Sequence, residues 1–592
     1  MQLSRLPRYI QVLGTRYYRH HRPSETQILV ILSFVVGIST GVGAVLFIRL
    51  IEFAKEFFFG YSLSYLNQFI VSWKLWVPVI PLVGGLIVGP IVYKFAKEAK
   101  GHGVPEVMEA VALRGGIIRP RVALAKSVAS AICIGSGGSA GREGPIVQIG
   151  SAIGSIIGQI FSMSGQRVKI LVGCGAAAGI SAVFNAPIAG VFFSLEIILG
   201  NFGVRTLSPV ILSSVIASVI SRSLLGDSPA FDLSSEHFTL VSAYEIPLYI
   251  LLGAVTAAVG KGFTWVLYYF EDIFEKMKMA GFLKTALGGL LLGILGLFLP
   301  QIFADGYDTI EVVLSGNLTL LLMGVLIFAK IAATSLTLGS GNSGGIFAPS
   351  LFMGAVAGGA FGYIMHTLFP GVTATSGAYA LVGMAGVVAA ATHAPITAML
   401  ILFEMTGDYK MILPLMITCV FATLISNRIN RESIYTLKLS RRGVKLRSGR
   451  DIETLASIKV REVMHTDYVT IPHNMPLYKL IHIFENTKDD HFMVVKSDNQ
   501  LLGTLSFQDL RTILSSTSLG NLVIAADLCH THPFTVGPED TLDQALTKFA
   551  PRDLSAVPVV ADKEGMQLVG LLKKEDIYSA YNRKVFGKNR EI

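Results

Sequence analysis

The sequence predicts an all-α polytopic membrane protein made of two similar halves with broken, re-entrant helices, followed by a small α+β module. Three observations carry this expectation: an uneven distribution of charge, apolar segments of two lengths, and an internal repeat. Apolar residues make up 52% of the 592 residues and charged residues 15%, against roughly 25% charged in soluble proteins. Residues 441–592 hold 20 basic and 19 acidic side chains, so 39 of the 89 charged residues lie in the last 152. A membrane part therefore precedes a soluble part. A secreted disulfide scaffold, a disordered chain and a collagen-like fibre are excluded.

Long apolar segments run at 27–50, 74–96, 206–224, 246–268, 285–303, 318–338, 351–368 and 411–427. Shorter pieces, interrupted by Gly, Pro and polar residues, lie at 122–134, 149–162, 168–183, 188–200, 379–391 and 395–405. Rising about 1.5 Å per residue, such pieces do not cross a hydrocarbon core of roughly 30 Å. They are expected to be broken helices, shielded by protein or lining a watery cavity.

The net charge of +9 is not arranged as a nucleic-acid face. Arg5, Arg8, Arg16, Arg19 and Arg22 precede the first apolar segment, and Arg428, Arg431, Lys438, Arg441, Arg442, Lys445 and Arg447 follow the last. Both clusters are expected in the cytoplasm, which makes the number of crossings even. No cleavable leader is expected, because the basic stretch is long and a full span follows it. Cys133, Cys174, Cys419 and Cys529 form no CxxC pair, and three lie in apolar runs, so neither disulfides nor zinc are implied. The expected boundaries are a basic N-terminus at 1–25, a membrane domain at 26–440, a linker at 441–459, and two soluble units at 460–514 and 523–584.

GSGGSAGREGP at 135–145 returns as GSGNSGGIFAP at 339–349, and FNAPIAGVFFSLEI at 184–197 returns as THAPITAMLILFEM at 392–405, displaced by 204 and 208 residues. The membrane domain is therefore a duplicated unit. Gly/Pro-interrupted segments at matching positions of two halves point to a transport site between them. Gly135, Gly137, Gly138, Gly141 and Gly144 leave room for close approach, and Pro145 suits a first helical turn. A helix starting there aims unpaired N–H groups and partial positive charge at an anion. GGIFAP at 344–349 supplies a second such start. Packing alone would explain the glycines, but not Arg142 and Glu143 among them. An ionisable group at such a position is costly and by default functional. The Glu143 carboxylate competes with a free anion for the same N–H groups, so protonation would release the site.

Together GHGVPE at 101–106, GSGGSAGREGP, GIFAP at 345–349 and SIYTLKLSRRG at 433–443 resemble the CLC family of chloride channels and chloride/proton exchangers, over about residues 25–445. The two soluble units, ending in LLGTLSFQDLRTIL and LVGLLKKEDIYSAY, resemble a pair of cystathionine-β-synthase (CBS) domains of β-α-β-β-α pattern. The resemblance implies a homodimer with one pore per subunit, inverted repeats and Glu143 as the external gate. It implies that the backbone N–H groups of Arg142, Glu143, Gly144, Ile346, Phe347 and Ala348 surround the anion, with the Tyr435 hydroxyl on the inner side.

Two departures from the family pattern matter. His102 stands where the family has a serine that donates to the anion; imidazole still offers an N–H, or it turns away. Ile197 stands where proton-coupled relatives usually carry a glutamate. This favours a chloride channel gated by Glu143 and by pH or voltage over the alternative, a chloride/proton antiporter. Glu196 and Glu404, equivalent in the two halves, read as structural residues near helix ends. In the soluble pair, Gly503, Ser506 and Asp509 fit a G-x-x-[ST]-x-x-D nucleotide pattern, with Thr504 beside it. In the second unit Gly570 and Asp576 remain while Lys573 replaces the hydroxyl, so ATP, ADP or AMP is a candidate ligand and a purely structural module the alternative. No HExxH zinc motif supports an enzyme. A cation channel would want rings of Asp or Glu. The expected location is the cell membrane, with both termini cytoplasmic.

Overall fold

The computed structural model describes residues 25–61, 76–227, 231, 238–407, 409–444, 455, 457–486, 491–496, 498–506, 523–531, 533–549, 556–562, 566–577 and 579–580. The N-terminal arginines, Lys445, Arg447, most of the expected linker and Asp509 lie outside the described residues. Two units form, Met1–Leu446 and Arg447–Ile592.

In the first unit, α1 (Glu25–Lys55), α2 (Val79–Pro90), α3 (Val104–Leu113), α4 (Pro120–Gly135), α5 (Glu143–Ile160), α6 (Gly165–Phe184), α7 (Pro187–Phe193) and α8 (Val204–Leu225) make one half. The second half repeats them in order as α9 (Ile246–Lys276), α10 (Gly281–Phe298), α11 (Tyr307–Leu314), α12 (Leu320–Gly339), α13 (Phe347–Leu368), α14 (Ser376–Thr392), α15 (Pro395–Thr406) and α16 (Ile412–Ile429), and α17 (Ile434–Arg441) follows. Prolines open α4, α7 and α15 at the first turn, where their missing N–H costs nothing. Asn185 and His393, at matching positions, end α6 and α14 in the left-handed conformation with φ 56° and 59°, so the chain turns sharply before each proline.

Among the described residues eight helices are long and apolar enough to cross a membrane. Side chains such as Phe328 and Leu321 on their outer faces are exposed, which suits lipid rather than water. Two expectations need correction. The piece at 168–183 is not short: α6 runs 20 residues and is nearly all buried. Its glycines do not interrupt it but let it approach α5, since a Cβ on Gly175 would lie 1.9 Å from the Gly150 carbonyl oxygen. The equivalent pair, Gly354 and Gly383, joins α13 to α14 in the same way, as small residues do in membranes. Conversely, the segment expected at 74–96 holds only a 12-residue α-helix, which passes at Pro90 into a π-helical turn, Ile91–Phe95. Proline lacks the N–H that would continue the α ladder.

The halves are related by a two-fold rotation. Gly141 and Gly345 each donate the backbone N–H to the other's carbonyl, at 2.9 and 2.6 Å, as an antiparallel bridge. Ser130 Oγ lies 2.9 Å from Ser343 Oγ, while Ser139 Oγ lies 3.1 Å from Thr334 Oγ1. Thr334 lies 204 residues after Ser130 and Ser343 lies 204 after Ser139, so the repeat exchanges the two contacts, as a two-fold axis between the halves requires.

The second unit holds β1 (Thr470–Pro472), α18 (Leu477–Asn486), β2 (His491–Val495), β3 (Leu501–Ser506), α19 (Ala525–Leu528), β4 (His530–Thr531), α20 (Leu542–Phe549), β5 (Ala556–Val560) and β6 (Leu568–Lys573). Among the described residues each CBS unit shows a strand, a helix and an antiparallel strand pair in the expected order, with β1 parallel to β2, and β2 and β5 antiparallel to β3 and β6; the expected closing helix of the first unit lies outside the described residues. Each unit's opening segment pairs with the other unit's hairpin: His530 bridges Thr504 of β3, and His465 bridges Leu571 of β6. Leu501 and Leu568 also donate their N–H groups to Met566 and Asn499 across the pair.

Candidate anion site

The site grows from the Gly141–Gly345 bridge, which fixes the first turns of α5 and α13 side by side. Arg142 and Ile346 occupy equivalent positions just before those helices, and neither start has a side-chain cap. Their first N–H groups are thus free for another acceptor. That acceptor is Glu143, 1% exposed. Its Oε1 accepts from the Tyr307 hydroxyl at 2.9 Å, and its Oε2 faces the Ala348 N–H at 3.4 Å. A carboxylate of the first half thereby reaches the helix start of the second. Glycine is needed at two points: a Cβ on Gly141 would lie 2.0 Å from Glu143 Oε2, and one on Gly144 would lie 2.3 Å from the His102 carbonyl oxygen.

Ile346, Phe347 and Ala348 are buried at this junction, with the Phe347 ring 5.7 Å from that of Phe184. His102, 3% exposed, has no hydrogen-bond partner on either ring nitrogen among the described residues, and its ring lies 5.8 Å from that of Tyr435. Tyr435 opens α17, where Ser433 Oγ accepts from the N–H groups of Tyr435 and Thr436. All eight sequence-predicted membrane residues therefore converge on one region. Ile197 is buried and apolar.

Three groups escaped the sequence reading, two buried lysines and a partly buried tyrosine. Lys126 Nζ donates to the carbonyls of Ala99 and Gly101, at 3.1 and 2.6 Å. Its equivalent, Lys330, donates to those of Ile302 and Ala304, at 3.0 Å each. Each ammonium ties down the loop that approaches the site from its own half. Tyr307 is the third, and the Arg142 guanidinium sits 5.3 Å from the centre of its ring. Lysines inside apolar runs, 204 residues apart, were a readable signal; Tyr307 had none.

The nucleotide candidates are distributed differently. Thr504 and Ser506 lie on β3, Lys573 ends β6, and Asp576 pairs with His465 Nε2 at 2.9 Å. The pattern glycines have a packing reason: a Cβ on Gly503 would lie 2.6 Å from the His530 carbonyl oxygen, and one on Gly570 would lie 2.9 Å from Met464 Sδ. Both would push away the crossing segment.

Residues 84–427 match the family model described as voltage gated chloride channel, and 460–516 and 525–583 match the CBS domain model. The chain is 35% identical over 367 residues to the putative chloride channel protein ClcB-like of Ralstonia nicotianae, covering 61% of this chain and 85% of the relative. It is 32% identical over 421 residues to the H+/Cl− exchange transporter ClcA of Salmonella agona, covering 70% and 88%. Among solved structures, a slow cyanobacterial Cl−/H+ antiporter is 27% identical, with a TM-score of 0.64 and coverage of 70% of this chain and 97% of that one.

Proposed function

The chain belongs to the voltage-gated chloride channel (CLC) family, as a multi-pass membrane protein with two CBS domains, and from this we propose that it exchanges chloride for protons. The observation that carries the reading is the position of Glu143. Its carboxylate occupies the convergence of two helix starts from opposite halves, a location that suits a free anion equally well. Chloride and the ionised side chain exclude each other, and protonation removes the side chain's claim. One proton then accompanies the exchange of occupants, which is the elementary act of coupling. The exchange transporter of Salmonella and the cyanobacterial antiporter support this reading over a channel.

The backbone N–H groups of Arg142, Glu143, Gly144, Ile346, Phe347 and Ala348 are the proposed chloride donors, with Tyr435 and His102 toward the cytoplasm. The channel reading rested on Ile197, which holds no proton. The proposed inner proton route bypasses it through water to Glu143, and His102, beside Tyr435 and with no hydrogen-bond partner on either ring nitrogen among the described residues, is proposed as an anion donor there. The proposed setting is a homodimer in the cell membrane with both termini cytoplasmic, and adenine nucleotide at the CBS pair.

The test is a chloride gradient imposed on liposomes containing the full chain, with external pH recorded. Uphill proton movement driven by chloride is expected. Chloride efflux with no uphill proton movement would return the protein to the channel reading.

A further inference from the structure

We propose that the Tyr307 hydroxyl is a latch that holds Glu143 in the anion site and sets the pH at which the site is released. The inference rests on the reading of Glu143 as the gate and adds a positioning residue from the other half of the molecule.

The loop carrying Tyr307 is the second-half counterpart of the loop carrying His102. Ala304, Asp305, Gly306 and Tyr307 align with Gly101, His102, Gly103 and Val104, because Lys330 holds Ile302 and Ala304 as Lys126 holds Ala99 and Gly101. The duplication thus supplied two similarly anchored loops, and the residues on them diverged. The first presents an imidazole beside Tyr435; the second presents a phenol to the gate itself.

Tyr307 is held from several directions. Its ring lies 5.4 Å from the buried Phe231 ring and beneath the Arg142 guanidinium, and it opens α11. The hydroxyl is therefore aimed before Glu143 arrives. An O–H donated to a carboxylate is stronger than one donated to a neutral acid. The contact therefore favours the ionised, seated gate and weakens when the carboxyl takes up a proton. The charged or titratable groups facing Glu143 are Arg142 on its own element, Asp305 and Tyr307 from the anchored loop and α11, and Tyr435 from α17. Among them, Tyr307 is the side chain that donates a hydrogen bond to the Glu143 carboxylate.

The test compares Tyr307→Phe, Glu143→Gln and the double variant, each full-length in liposomes, by chloride efflux across pH. Tyr307→Phe removes one oxygen and keeps the ring that meets Arg142 and Phe231. Loss of the donor destabilises the ionised form, so the efflux midpoint is expected to move to higher pH, by about one unit for a hydrogen bond to a charged group. Glu143→Gln is expected to flatten the pH dependence, and the double variant to match it. If Tyr307→Phe keeps the wild-type midpoint while Glu143→Gln flattens the profile, the latch is overturned and the gate stands. If Glu143→Gln leaves the profile intact, the gate reading fails and the latch with it. A midpoint shift that persists in the double variant would show Tyr307 acting elsewhere, and would also overturn the latch.

Discussion

Glu196 and Glu404 cap each other's helices. The Glu196 carboxylate accepts from the Ile396 and Thr397 N–H groups at 3.4 and 2.8 Å, and from the Thr397 hydroxyl at 2.6 Å. Glu404 accepts from the N–H groups of Ile188 and Ala189 at 2.9 and 2.6 Å. Each carboxylate comes from the far end of one helical segment and meets the first turn of the other. That exchange requires α7 and α15 to run antiparallel, and the negative charges meet the positive ends of the helices.

Because each carboxylate satisfies N–H groups that have no helical partner, replacing either with alanine is expected to cost about 1–2 kcal/mol. The Glu196→Ala and Glu404→Ala proteins should melt at lower temperature in detergent. The double variant should lose close to the sum, since the two contacts share no atoms. Unchanged melting in both single variants would remove the capping role.

Glu143→Gln should conduct chloride yet fail to move protons uphill, because an amide keeps the shape of the neutral carboxyl and takes up no proton. Simultaneous recording of chloride and pH from liposomes checks both halves of the expectation. Uphill proton movement surviving in this variant would exclude Glu143 as the proton carrier.

At His102 two substitutions separate a retained donor from a lost one. Serine keeps a donor, so His102→Ser should retain anion binding while altering the chloride/nitrate preference. His102→Ala should weaken binding by roughly tenfold for one lost hydrogen bond to an anion. Unchanged anion binding and preference in both would remove His102 from the anion site.

Lys330→Met leaves the carbonyls of Ile302 and Ala304 without their buried donor, an expected loss of about 1–3 kcal/mol. Because that loop leads into Tyr307, the pH midpoint of transport should move along with the melting temperature. Lys126→Met should lower stability similarly and act on anion binding through the His102 loop. A melting change in Lys330→Met without any change in pH profile would uncouple the anchor from the gate.

For the CBS pair, Asp576→Asn should weaken adenine nucleotide binding, measured by calorimetry on the full chain. On the proposed nucleotide reading, the His465–Asp576 contact would compete with a ribose for the same carboxylate. His465→Ala should therefore strengthen binding. No heat from ATP, ADP or AMP with wild-type protein would make the module structural.

The repeat spacing and the charge distribution made the architecture legible, because duplication preserves offsets and the membrane excludes charge. The geometry of the candidate anion site was legible where it is built from backbone, since glycine and proline positions report where the chain must approach closely or start a helix. It failed at Tyr307 because the partner of Glu143 lies 164 residues away, on a loop whose sequence, ADGY, no longer matches its counterpart GHGV. The length of α6 failed for a different reason. Its glycines resemble helix breakers along one strand of sequence, and only the neighbouring α5 explains them as contact surface.

The crossing of opening segments between the two CBS units has a practical consequence for anyone cutting the gene. Neither unit owns a complete sheet: Thr504 waits for His530, and Leu571 for His465. A chain stopped between the units would expose the edge of β3, an invitation to pair with other chains. Deleting the pair as a whole should therefore be gentler on the membrane part than deleting half of it.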